Sequence, residues 1–154
     1  MVVEAVYGDK LENRLKDLLA YQRSNITLRI VSQHIHNTKI VDESLKDKLR
    51  RLRNRQARIV IVIDRKVLAN DRKEQELMDE LEEIGVGVYY KQKVHAKIIL
   101  LESQSDNGLL VSSANISDTA LHNSREAGIF ILNDHKEVLD DIKSYTNQIL
   151  GSSQ

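Results

Sequence analysis

The sequence predicts an α/β fold in which one mixed, largely parallel β-sheet is flanked by helices on both faces. Three observations lead there. Amphipathic segments of helical period alternate twice with short β-branched runs. The run Ile59-Val60-Ile61-Val62-Ile63 is apolar at every position, as a strand covered on both faces must be. With 154 residues, no proline and six glycines, no linker divides the chain, so residues 1–154 read as a single domain large enough for a real core.

Taken in order, Leu11, Leu15, Leu18 and Leu19 recur at helical spacing with charged residues between them, and Ser24-Asn25 closes that helix. Residues 26–31 alternate apolar and polar side chains as a strand does. Ser44 caps a helix carrying Leu45, Leu49 and Leu52, and the strand 59–63 follows. Asp71 with Glu74 forms a capping box before Leu77, Met78, Leu81 and Ile84, and Gly85 ends that helix. Residues 86–90 and 94–101 are further strands, and Asp106-Asn107-Gly108 is a turn into Leu109-Leu110-Val111. The crossover units thus give way to adjacent strands. Residues 127–132 supply one more strand, and Asp134 with Glu137 caps a last helix that faces Val138, Ile142, Tyr145 and Ile149 to the core.

Composition narrows the functional classes. The 23 Lys and Arg balance 23 Asp and Glu, so no overall field steers the chain to polyanions, and any such affinity must be local. Without cysteine there is no disulfide, thiolate metal site or cysteine nucleophile, which suits a reducing, cytoplasmic setting. The longest apolar runs, such as 59–63 and 98–101, fall far short of the roughly 20 residues that span a bilayer, and no export signal is visible, so no membrane partner is expected.

One stretch carries chemistry. His95 and Lys97 stand two apart, which on a strand puts an imidazole beside an ammonium on one face. Ser113 and Asn115 repeat that spacing on the next strand, and Glu126 opens the third. A nucleophile or base, a fixed cation, two neutral hydrogen-bonding groups and a carboxylate suit the grip of a tetrahedral phosphodiester. Each piece alone is also an ordinary polar strand residue. Their order, and their place at strand ends where open α/β sheets keep their sites, favours function.

These residues resemble the signature of the phospholipase D superfamily: His-x-Lys-x(4)-Asp, then Gly-Ser-x-Asn, then a Glu eleven residues beyond that Asn. His95 and Lys97 match the dyad, Ser113 and Asn115 the Ser and Asn, and Glu126 the trailing Glu. Glu102 stands where the family has Asp, which keeps the charge for an orienting or ion-pair role, and Ser112 stands where it has Gly, at some cost in backbone freedom. The resemblance implies that His95 attacks phosphorus to form a phosphohistidine, with no metal or other cofactor required. Lys97, Ser113 and Asn115 would hold the non-bridging oxygens. Glu126 would accept a hydrogen bond from the second ring nitrogen of an active-site histidine. The family supplies the leaving-group proton from a second motif copy, and the chain has one copy, in residues 95–126. A homodimer sharing one active site is therefore expected, as in the family's small single-motif nucleases.

For the substrate, Lys46, Lys48, Arg50, Arg51, Arg53, Arg55, Arg58, Arg65 and Lys66 form a basic stretch that either tracks a nucleic-acid backbone or is the solvated face of a helix. The acidic run Glu74, Glu76, Asp79, Glu80, Glu82 and Glu83 reads as the outer face of the next helix. His34-x-His36 offers two ring nitrogens but lacks further ligands in its vicinity, so it reads as bordering the cleft rather than binding a metal. The leading expectation is a metal-independent endonuclease acting on DNA or RNA. The alternatives are a non-catalytic nucleic-acid-binding or assembly module on the same fold, and a phospholipid headgroup phosphodiesterase.

Overall fold

The computed structural model describes residues 2–22, 25–122 and 125–152, and the expected helix closure at Ser24 lies outside them. The elements are β1 (Val2–Tyr7), α1 (Asp9–Leu19), β2 (Thr27–Ser32), β3 (Lys39–Ile40), β4 (Glu43–Ser44), α2 (Leu45–Asn54), β5 (Arg58–Asp64), α3 (Val67–Asn70), α4 (Arg72–Glu83), β6 (Gly87–Lys91), β7 (Ile98–Glu102), β8 (Asn107–Ser112), α5 (Asp118–Leu121), β9 (Ala127–Leu132) and α6 (Lys136–Gly151).

Seven strands form one sheet in the order β1-β9-β8-β7-β2-β5-β6. It is mixed, as expected, but less parallel than the sequence suggested. Only β2–β5 and β5–β6 are parallel, whereas β2–β7, β7–β8, β8–β9 and β1–β9 are antiparallel. The helical crossovers stop after β6: β7 then crosses back to the free side of β2, running against it, and β8 follows β7 through a short connection as an antiparallel hairpin.

Helices cover both faces. Leucines 11 and 15 of α1, 49 and 52 of α2, and Met78 and Leu81 of α4 pack with Leu28, Ile30, Ile59, Ile61, Ile99 and Leu110 on one side. On the other, Leu139, Ile142 and Ile149 of α6 pack on Val31, Val62, Ile98, Leu100, Leu109 and Ile131. Ser44 caps α2 by accepting the Asp47 N–H at 3.2 Å, and Asp71 caps α4 by accepting the Glu74 N–H at 3.0 Å. Gly85, at φ 98°, reverses the chain after α4, where an added Cβ would meet the Arg53 guanidinium.

The last helix departs from its expected form. His135, left-handed at φ 48°, precedes it without a side-chain cap, and Asp134 accepts the His135 N–H instead of capping. Val138 and Tyr145 point outward at 42% and 44% exposure, while Leu139 and Thr146 are buried. The strand expected over 94–101 is shorter, beginning at Ile98, and Asn107-Gly108 opens β8 rather than forming its turn.

Gly128 lies opposite Ser112 in the β8–β9 ladder. A Cβ there would stand 2.5 Å from the Val111 carbonyl oxygen and 2.7 Å from Ser112 Cβ. Gly128→Ala is therefore expected to destabilise by about 1–3 kcal/mol in urea unfolding. Gly151→Ala, with nothing within 4 Å of its added methyl, is expected to show no such loss.

Candidate active site

The topology gathers one end of the sheet. There β1, β2, β5, β6 and β8 finish while β7 and β9 begin, so the segments carrying His34, Asp64, His95, Lys97, Ser113 and Glu126 emerge together. Val31, Ile98 and Val111 stand side by side in the ladders, which sets Ser32 and Ser112 on either side of Lys97. The Ser112 N–H donates to the Lys97 carbonyl at 3.1 Å, and Ser32, Lys97, Ser112 and Ala114 line one small cavity.

His95 and Lys97 precede β7 instead of lying within it. Lys93, left-handed at φ 56°, turns the chain, and the buried Asp64 carboxylate then accepts the Val94 N–H at 2.9 Å and the Lys66 N–H at 2.8 Å. Asp64 thus fixes the residue before His95 to the end of β5, a positioning role that sequence spacing across 30 residues could not reveal. His95 is exposed and borders a cleft of about 240 Å³ shared with Tyr145, Gln148 and Ile149 of α6. Neither its ring nor the Lys97 ammonium makes a hydrogen bond or ion pair among the described residues.

Asn115 is held by its carbonyl oxygen, which accepts from Ser32 Oγ and from the His34 N–H, each at 3.1 Å. Its amide N–H donors remain unspent among the described residues. Ser113 Oγ donates to Glu126 and accepts the Ala127 N–H at 3.1 Å. The structure therefore brings Ser113 to Glu126, but it does not bond Glu126 to a histidine, and Ser113 has its proton on that carboxylate. Ser112 closes a turn by accepting the Ala114 N–H at 3.2 Å, and its φ is not positive. The backbone cost expected at Ser112 is not incurred, because its backbone is not left-handed, and Gly128 opposite it leaves room for the Ser112 side chain.

Glu102 lies at the other end of β7, about 16 Å of extended chain from Lys97. It pairs with Arg29 Nε at 3.7 Å and Lys143 Nζ at 2.9 Å, which ties α6 to β2 and β7. An ion-pair role fits this position, and an orienting role at the site does not.

The basic stretch is largely spent on structure. Lys46 pairs with Glu80, Lys48 with Asp42, Arg50 with Asp47 and Arg51 with Glu43, while Arg53 donates to the Ile84 and Ala57 carbonyls. Arg58 starts β5 at the end remote from the site. Arg65 and Lys66 follow Asp64 at the site end, exposed and without an ion pair among the described residues, as is Lys93.

Glu74 is not on the outer face of its helix. Its side chain is fully buried, and Oε1 meets His34 Nδ1 at 2.9 Å and His36 Nε2 at 2.6 Å. Asp71 Oδ2 lies 3.6 Å from His36 Nε2, and the Glu74 N–H on the Asp71 side chain holds that carboxyl below its ordinary range. The fold brings to His34-x-His36 the carboxylates missing from its own stretch of sequence. Glu74 sits where the helix turns inward, one position that its acidic neighbours disguised.

Among the described residues no helix is long and apolar enough to cross a membrane. The family model described as cardiolipin synthase, PLD-like domain, matches residues 15–150. No curated protein matches the chain in sequence. Among solved structures, Nuc from Salmonella typhimurium, a phospholipase D family member, is similar at a TM-score of 0.75 and 14% identity, over 99% of this chain and 96% of that one. NucT from Helicobacter pylori is similar at 0.74 and 17%, over 98% and 96%. TrmBL2, an archaeal chromatin protein whose structure shows a novel mode of DNA binding, is similar at 0.57 and 18%, over 96% of this chain and 52% of that one.

Proposed function

Because the chain belongs to the family of the cardiolipin synthase, PLD-like domain, whose model spans residues 15–150, we propose that it is a phosphodiesterase acting on nucleic acid through a phosphohistidine in a site shared by two subunits. The observation that carries this reading is the set of unspent groups at one sheet end: the exposed His95 ring, the Lys97 ammonium and the Asn115 amide. His95 attacks phosphorus, and Lys97 with Asn115 takes up the charge that grows on the non-bridging oxygens. Glu126 has one oxygen on Ser113 and the other available to an imidazole N–H, where it fixes the tautomer of a reacting histidine. The departing alkoxide takes its proton from the second subunit's imidazole, which then activates the water that frees His95. Rapid quenching with a nucleic-acid substrate in excess EDTA tests the mechanism: a His95 peptide linked through phosphorus to the retained half of the cleaved strand is expected in the mass spectrum, and turnover without any adduct would remove the covalent step.

Nucleic acid is the substrate class best supported by charge. Arg65, Lys66 and Lys93 flank the site without an ion pair among the described residues, while Arg50 and Arg51 of α2 are paired. Replacing Arg65 and Lys66 by Ala is expected to lower the slope of log K against log salt by about 1.4–1.8, two phosphate contacts' worth. Arg50→Ala with Arg51→Ala should leave it unchanged, and equal effects from the two pairs would place the backbone track elsewhere.

A further inference from the structure

We propose that His34, His36 and Glu74 form a binding site for a divalent transition-metal cation of the zinc class. The Glu74 side chain has no exposure, and among the described residues neither lysine nor arginine pairs with it. Its partners are two imidazoles and the Ile35 N–H at 3.3 Å. Two half-exposed rings converge on one buried carboxylate oxygen, and a metal ion is a partner that would take that oxygen and both ring nitrogens at once.

The donor set selects the metal. Two imidazole nitrogens and one carboxylate oxygen suit Zn²⁺ and its neighbours, whereas Mg²⁺ and Ca²⁺ prefer oxygen ligands alone. All three donor atoms lie within 4.8 Å of one another. A tetrahedral ion needs donors about 3.3 Å apart, so the rings must withdraw by under about an ångström from their 2.9 and 2.6 Å contacts. Both rings are half exposed and able to turn. The framework behind them is fixed: Ile35 is fully buried and bridges to Ile116, and its N–H orients the second carboxylate oxygen, the kind of outer contact that aims a metal ligand. The fourth position faces Asp71 Oδ2 and a cavity of about 350 Å³ that Asn37 and Asp118 also line. A cation there would join residues 33–38 to α4, and through the His34 N–H it would brace Asn115. The binding claim itself does not depend on the phosphodiesterase reading.

The test uses the full chain, stripped by EDTA and dialysed, then titrated with Co²⁺ and Zn²⁺. One equivalent of Co²⁺ is expected to give visible tetrahedral absorption that Zn²⁺ displaces, and saturating Zn²⁺ is expected to raise Tm by about 5 °C or more. His36→Ala, at an exposed ring, and Glu74→Gln should each abolish the absorption, while His135→Ala should keep it. No absorption with the unaltered chain, or absorption that survives His36→Ala, would overturn the site. Because His36→Ala removes only an exposed ring, failure of Glu74→Gln to fold leaves the result readable.

Discussion

His95→Ala is expected to lower the rate of nucleic-acid cleavage by at least about 10⁴-fold, the scale on which enzymes lose activity when an attacking group is removed. The loss should appear in kcat in the presence of EDTA, with binding affinity across salt little changed. His95 is exposed and bonds to nothing among the described residues, so its removal leaves no buried group unpaired and no cavity. Urea unfolding of the variant should therefore coincide with that of the parent chain. Lys97→Met is expected to cost less, about 10²–10³-fold, because it removes one of several charge-stabilising donors instead of the bond-forming atom. This ordering separates the two leading readings. A non-catalytic module binds nucleic acid equally well with either residue at 95 and shows no cleavage to lose. Residual cleavage at the parent rate in His95→Ala would take that ring out of the mechanism.

The elements with strong periodicity were legible because one face of each decides its place: the α1 leucines, the 59–63 run and the caps at Ser44 and Asp71 stand as expected, although Glu74 turns to His34 and His36 and leaves the capping box at Asp71 half formed. What the sequence hid depends on partners far along the chain. β1 is an edge strand paired only with β9, so half its residues face outward and its alternation is weak. Of the site, the motif residues could be named but not their bonds. Ser113 meets Glu126 because β8 and β9 are neighbours, and Asn115 turns its amide outward because Ser32 and His34, more than 80 residues earlier, hold its oxygen. Glu74 and Asp64 were hidden for a related reason. A carboxylate at a helix start or strand end resembles any surface acid until tertiary contacts bury it.

Mixing the unaltered chain with an equal amount of His95→Ala, under conditions where subunits exchange, is expected to leave about one quarter of the specific activity contributed per site. If each site needs both imidazoles, only pairs of unaltered chains turn over, and random association makes those one pair in four. Independent protomers would retain about one half. The surface that would carry the contact lies beside the site. Val3, Tyr7, Val111 and Ile129 are 50%, 68%, 36% and 47% exposed, and the ladders set Tyr7 opposite Ala127 and Val111 opposite Ile129. They make a continuous apolar strip that α6 does not cover, ending where Ala127 bonds Ser113. Such a strip is expensive to leave in water, and a second copy placed there would bring its own sheet end toward the first. Tyr7→Glu with Ile129→Lys is thus expected to yield a folded chain of single mass and to reduce cleavage below about 1% of the parent rate, through loss of the second imidazole alone. A variant that is monomeric yet fully active would show that the proton donor lies within one subunit, and would shift attention to His34, whose backbone already touches Asn115.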